Sequence, residues 1–117
     1  MIYLLETKLP EKKSIYFSLT KILGIGEKTS FSICKKLGFS INLKTKDLTQ
    51  EQIIEILKLI DYLNLTLNNE LKKQKILILQ NLINMKSYKG LRRVRGLPVR
   101  GQRTHTNAKS ARKNKKF

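Results

Sequence analysis

The residues best equipped for chemistry crowd the C-terminal stretch SYKGLRRVRGLPVRGQRTHTNAKSARKNKKF, residues 87–117. All six arginines (Arg92, Arg93, Arg95, Arg100, Arg103 and Arg112) fall within the last 26 residues. A guanidinium is a planar fork of donors that matches a phosphate or a guanine edge and stacks on bases. Gln102, Thr104, Thr106 and Asn107 are interleaved with them and can bond to sugar hydroxyls and phosphates. Lys89 and Lys109 add point charge. His105 is the single histidine. General-base or metal chemistry would need a partner for it, and the nearest preceding acid is Glu70, so His105 reads as a base or phosphate contact. The competing reading of the stretch is a solvated, disordered charge run. The ordered alternation of Arg with Gly, Pro, Thr, Gln and Asn favours directed contacts.

A second candidate is LGIGEKTS, residues 23–30. Gly24 and Gly26 flank Ile25, and a helical pattern resumes at once. Glycines let a backbone approach a phosphate closely, and the following helix start offers free N–H groups. Lys28, Thr29 and Ser30 could add donors. An ordinary helix–helix turn explains the same residues, because a lone Gly-x-Gly is a weak signal.

Nothing supports catalysis. The eight acids are scattered and no nucleophile sits beside a base. The single thiol, Cys34, cannot form an internal disulfide or a Cys-rich zinc site, and it reads as a small core residue. No catalytic residue, metal site or cofactor is expected. A DNA-glycosylase fragment would share a helical hairpin, but Met1-Ile2-Tyr3 and one cysteine argue against it.

Charge sharpens the picture. The formal net charge is +17. Residues 1–70 hold 10 basic and all 8 acidic residues, whereas residues 71–117 hold 15 basic residues and no acid. Such a polycation needs a polyanion, with released counterions supplying much of the affinity. Folded RNA suits it better than duplex DNA: irregular RNA has crevices and unpaired bases, and no zinc-finger or basic-zipper pattern is present. A histone-like DNA-compacting protein is the alternative on charge alone. No apolar run approaches the length of a bilayer span, so no membrane partner is expected. The opening MIYLLETKLP lacks the layout of a signal or transit peptide, and the protein is expected to act where it is made.

The elements that must position these groups are helical. Residues 1–10 read as an extended lead-in ending at Pro10. Residues 11–22 place Ile15, Leu19 and Ile22 on one helical face. Phe31, Cys34 and Leu37 share the next face, which Gly38 terminates. In TQEQIIEILKLIDYL, residues 49–63, Thr49 and Gln52 make a capping-box signature, and Ile53, Ile56, Leu57, Ile60 and Leu63 form the stripe. A last helix runs from about 69 to 86 with Leu71, Ile78, Leu82 and Met85 on one side. No strand is convincing. The predicted class is all-α: a helical body over 1–86 and an extended basic tail over 87–117, punctuated by Gly90, Gly96 and Gly101, that takes shape on its partner.

Three stretches, LTKILGIGEKTS (19–30), KDLTQEQIIEI (46–56) and above all SYKGLRRVRGLPVRGQRTHTNAKSARK (87–113), resemble the small-subunit ribosomal protein thirteen family over nearly the whole chain. The resemblance implies a helical body containing a helix–two-turns–helix unit and a long tail. It implies a non-enzymatic place in the head of the small ribosomal subunit, with the tail threading through small-subunit ribosomal RNA towards peptidyl-site transfer RNA. It also implies two protein neighbours, small-subunit protein nineteen and an intersubunit bridge partner, large-subunit protein five in bacteria. Carried over by position, Arg92, Arg93, Arg95, Arg100, Arg103 and Lys109 are the RNA contacts, with Gly24, Gly26, Lys28, Lys89, Thr104, His105, Asn107 and Arg112 beside them. Lys113, Lys115 and Lys116 are the groups expected near transfer RNA. The opening departs from the bacterial pattern, and the body is rich in Lys and Ile where bacterial members use Ala. Both departures favour a mitochondrial member, with plastid or bacterial cytoplasm as the alternatives.

Overall fold

The computed structural model describes residues 2–115. They belong to two compact units, Met1–Leu71 and Lys72–Phe117.

The first unit opens with a β-hairpin. Strand β1 (Ile2–Leu4) pairs antiparallel with β2 (Thr7–Leu9), in the register Ile2 to Leu9 and Leu4 to Thr7. This places Ile2, Leu4 and Leu9 on one face, and Leu4 and Leu9 are buried in the core. The expectation of an extended lead-in and a purely α-helical chain is corrected here. The cause is the turn: Leu5 and Glu6 both take left-handed backbone, at φ 47° and 64°. A two-residue hairpin of this kind ordinarily advertises itself by Asn-Gly or Asp-Gly. Here tertiary bonds hold it instead. Asn68 Nδ2 donates to the Leu5 carbonyl at 2.5 Å, and Asn69 Nδ2 donates to Glu6 Oε2 at 3.1 Å.

Helix α1 is shorter than the periodicity suggested, Ile15–Leu19 rather than 11–22. The preceding residues are held elsewhere. The Lys13 carbonyl accepts from the backbone and hydroxyl of Thr45, and Ser14 bridges to Lys44. Ser18 and Thr45 are fully buried, with their hydroxyls 2.7 Å apart. Buried hydroxyls persist only when hydrogen-bonded, so this pair ties α1 to the short 3₁₀ turn Thr45–Asp47. Helix α2 (Glu27–Lys36) ends as read, at Gly38 with φ +69°. The Phe39 amide reaches the Cys34 carbonyl and the Gly38 amide that of Lys35, a Schellman closure. Its buried side chains are Ser30, Ile33 and Cys34, whereas Phe31 is half exposed. Helix α3 (Gln50–Tyr62) carries the full capping box, Thr49 amide to Gln52 Oε1 at 3.1 Å and Gln52 amide to Thr49 Oγ1 at 3.4 Å. Ile56 and Ile60 are buried, and Ile53, Leu57 and Leu63 pack at the core's edge.

Helix α4 (Asn68–Asn84) runs from the first unit into the second and buries no residue. Of its predicted stripe, Leu71 and Leu82 are half-buried, while Ile78 and Met85, the latter just beyond the helix, are exposed. Within the second unit follow α5 (Tyr88–Arg95), a non-helical loop, and α6 (Lys109–Lys113). The tail is therefore not extended throughout, a second correction. No helix among the described residues is long and apolar enough to cross a membrane.

Candidate nucleic-acid interface

Helix α5 exists because both its ends are specified locally. Ser87 caps the start: its Oγ accepts from the Gly90 amide at 3.2 Å and donates to the Leu82 carbonyl at 2.8 Å. Gly96, at φ +69°, closes the end, with the Leu97 amide on the Arg92 carbonyl and the Gly96 amide on that of Arg93. Gly90 is buried because its bare Cα side lies against the backbone of Leu82 and Ile83. That close approach replaces the apolar stripe a helix normally needs for packing.

The helix fixes its arginines rather than leaving them loose. The Arg92 guanidinium lies 5.5 Å from the centre of the Tyr88 ring, a cation–π arrangement. Arg92 and Arg93 are half-buried, and the Nε of each is buried with no hydrogen-bond partner. Burial of each Nε fixes the inner part of the side chain against the protein, and the guanidinium end carries the remaining donors. Lys89 and Arg95 are exposed on the same helix.

The loop between α5 and α6 carries the rest. Arg100, Arg103, Thr104, His105 and Asn107 are exposed. Asn107 Nδ2 donates to the Arg103 carbonyl at 3.0 Å and closes this turn on itself. Gly96 abuts α6, where a Cβ would sit 3.5 Å from Arg112 Cα. Lys109, Arg112, Lys113 and Lys115 present their side chains to solvent; Lys116 lies outside the described residues. A cavity of about 390 Å³ opens in this unit, lined by Arg93, Arg100 and Lys109 on one hand and Leu97, Pro98 and Val99 on the other. Gln102, Ser110 and Asn114 also line it. Ser110 and Asn114 were not among the residues singled out by sequence, because nothing in a lone Ser or Asn near a terminus marks a cavity wall.

The glycine turn belongs to the first unit and divides in two. Gly24 serves the fold: its φ is +108°, and a Cβ there would come within 2.8 Å of Leu67 Cδ2 and 2.9 Å of the Thr66 carbonyl. Gly26, by contrast, is exposed, has open space around it and starts α2 without a side-chain cap. Lys28 is exposed beside it, but Ser30 is buried and donates to the Tyr16 carbonyl at 2.6 Å, so it offers no donor to a ligand. Among the described residues no group of His, Cys, Asp and Glu could hold a metal ion. Burial pushes the Cys34 thiol up.

A family model described as ribosomal protein S13/S18 matches residues 3–110, a span that takes in both units and the whole arginine-bearing loop. The chain belongs to this family. Curated relatives agree along the same length. A Marchantia polymorpha protein named small ribosomal subunit protein uS13m is 43% identical over 97% of this chain and 93% of its own length. A Daucus carota protein of the same name is 39% identical over 97% of both chains. Small ribosomal subunit protein uS13 of Akkermansia muciniphila is 40% identical over 99% of this chain and 93% of its own. An S13-family chain is a structural component of the small ribosomal subunit and not an enzyme.

Proposed function

We propose that this S13-family protein holds folded small-subunit ribosomal RNA through its second unit, in the small subunit of the mitochondrial ribosome. Its uS13m relatives support that location. The observation that carries the RNA reading is a second unit, residues 72–117, with 15 basic residues and no acid, whose guanidinium and ammonium groups offer only donors. Phosphates supply the acceptors, and Arg95, Arg100, Arg103, Lys109 and Arg112 neutralise the neighbouring charge as the RNA compacts. Residues 87–117 carry this role and residues 1–86 form the docking body. Gly26 and Lys28 add a sequence-independent phosphate contact at the open start of α2, and Gly24 sets the turn that presents them. Lys113, Lys115 and Lys116, the last outside the described residues, are the candidates for contact with peptidyl-site transfer RNA. The body meets small-subunit protein nineteen and a large-subunit bridge partner in the position protein five takes in bacteria.

The test is a salt titration of the full chain on a folded small-subunit RNA fragment against duplex DNA. The reading expects preference for the RNA. It also expects the log–log salt slope to fall by roughly 3 when Arg92, Arg93, Arg100 and Arg103 are all changed to Gln, because each lost phosphate contact removes about 0.7–0.9. Equal affinity for duplex DNA, or an unchanged slope, would refute it.

A further inference from the structure

We propose that the cavity of the second unit receives one unstacked nucleotide of the bound RNA, a reading that rests on the RNA-binding function above. Its volume of about 390 Å³ is within the range of small-ligand pockets. It is too small for a stacked base pair and ample for a single base with its sugar.

The lining argues for a base and against a bare phosphate. Leu97, Pro98, Val99 and Ala111 are its apolar lining, and Leu97, Val99 and Ala111 are only half-buried, which leaves apolar surface for a ring. Gln102, Asn107 and Asn114, all amide-bearing, are among the lining residues. An amide offers a donor and an acceptor, which matches a base edge that carries both. A bare phosphate would gain nothing from the apolar part of the lining. Arg93, Arg100 and Lys109 also line it. These cations take the phosphates on either side of the base. No acid lines the cavity, which disfavours a basic peptide as occupant. Single-stranded, splayed-out bases are what sequence-reading RNA proteins capture.

The test uses the full chain and two probe classes followed by amide chemical shifts: the four ribonucleoside 5′-monophosphates, and ribose 5-phosphate as the baseless control. At least one nucleotide is expected to bind about ten-fold more tightly than ribose 5-phosphate, with shifts at Val99, Asn107 and Asn114. Ala111→Phe fills the cavity without changing charge and should reduce that nucleotide to the control's affinity. Asn114→Ala, at an exposed lining position, should weaken the nucleotide while leaving ribose 5-phosphate unchanged, and it serves if Ala111→Phe perturbs folding. Nucleotides binding no better than ribose 5-phosphate, or equally well to both variants, would overturn the proposal. Affinity for the folded RNA fragment, measured alongside, separates the two readings. If it persists without nucleotide preference, the cavity alone is lost; if it is absent, the RNA function falls with it.

Discussion

Gly90→Ala tests whether the arginine helix is held by a backbone-to-backbone contact. In an exposed helix interior this change stabilises by about 1 kcal/mol, because alanine restricts the unfolded chain and favours the helix. Here the new Cβ would lie on the Leu82 carbonyl oxygen, 2.6 Å from the Leu82 carbonyl carbon and 2.9 Å from the Ile83 amide nitrogen. Comfortable contact begins near 3.4 Å, so α5 would have to withdraw by roughly 1 Å to clear the carbonyl oxygen. All three obstacles are backbone, and no rotamer change can absorb them. Overpacking of this kind costs about 1–3 kcal/mol, and a clash with rigid backbone belongs at the upper end. The net effect is a loss of about 2 kcal/mol, or roughly a thirty-fold shift in the local opening equilibrium.

Hydrogen exchange of the Arg92–Arg95 amides is the direct assay, because it reads α5 opening without requiring the whole chain to unfold. Protection should fall about thirty-fold in Gly90→Ala, and RNA affinity should drop with it, since Arg92 and Arg93 lose the helix that positions them. Gly101→Ala is the control: its φ of +71° brings left-handed strain, but nothing lies within 4 Å of the new Cβ. It should cost only about 1 kcal/mol, without loss of protection in α5. Increased protection in Gly90→Ala would mean that helix propensity wins, and the packing argument would be wrong.

Other outcomes follow from single contacts. Thr49→Ala removes the α3 capping box and should lower stability by about 1 kcal/mol, read as a denaturant midpoint shift at constant slope. Gly24→Ala meets both a φ of +108° and obstruction by Leu67 and Thr66, so its melting temperature should fall further than that of Gly26→Ala, where space is open. The buried Cys34 thiol has a raised folded-state pKa. The native state therefore holds its proton more tightly. The stability this contributes is complete below the ordinary thiol value near 8.5, and it is lost as pH rises from there through the folded-state value. Cys34→Ala should flatten that alkaline decline, and a thiol reagent should react at the unfolding rate at neutral pH; instantaneous labelling would contradict the burial.

What the sequence made legible was whatever is encoded by neighbours along the chain. Thr49 and Gln52 lie three residues apart and state their capping box openly, and Gly38 marks the α2 stop by its own backbone freedom. The β-hairpin was hidden because Leu5-Glu6 is not hairpin chemistry: the turn is supplied by Asn68 and Asn69, more than sixty positions away. Helix α5 was hidden for a different reason. Its signals, Ser87 before and Gly96 after, were both in view, but Gly90 in its interior and the absence of an apolar stripe argued for extended chain. Only the proximity of Leu82 turns that glycine from a breaker into the packing surface. The chemistry-bearing residues could be named from composition and order. That Arg92 and Arg93 are half-buried could not, since it depends on how α5 is seated.

This seating changes how binding should work. A tail that orders only on RNA would pay its conformational cost at the moment of association, whereas α5 carries its own closures at Ser87 and Gly96 and the Asn107–Arg103 bond closes the loop beyond it. The force opposing that shape is mutual repulsion, because residues 71–117 contain no acid to compensate 15 cations. No Asp or Glu side chain in this stretch offers an ion pair to be weakened, so added salt chiefly relieves repulsion. Raising ionic strength from 0.01 to 0.15 M shortens the screening length from about 30 to about 8 Å. Amide protection in α5 should therefore rise with salt while RNA affinity falls. The opposite slopes follow from one cause, as screening stabilises the lone polycation and simultaneously weakens its attraction to phosphate. Protection that declined with salt alongside affinity would show that the second unit is held by attractions between charges, which this distribution of residues does not supply.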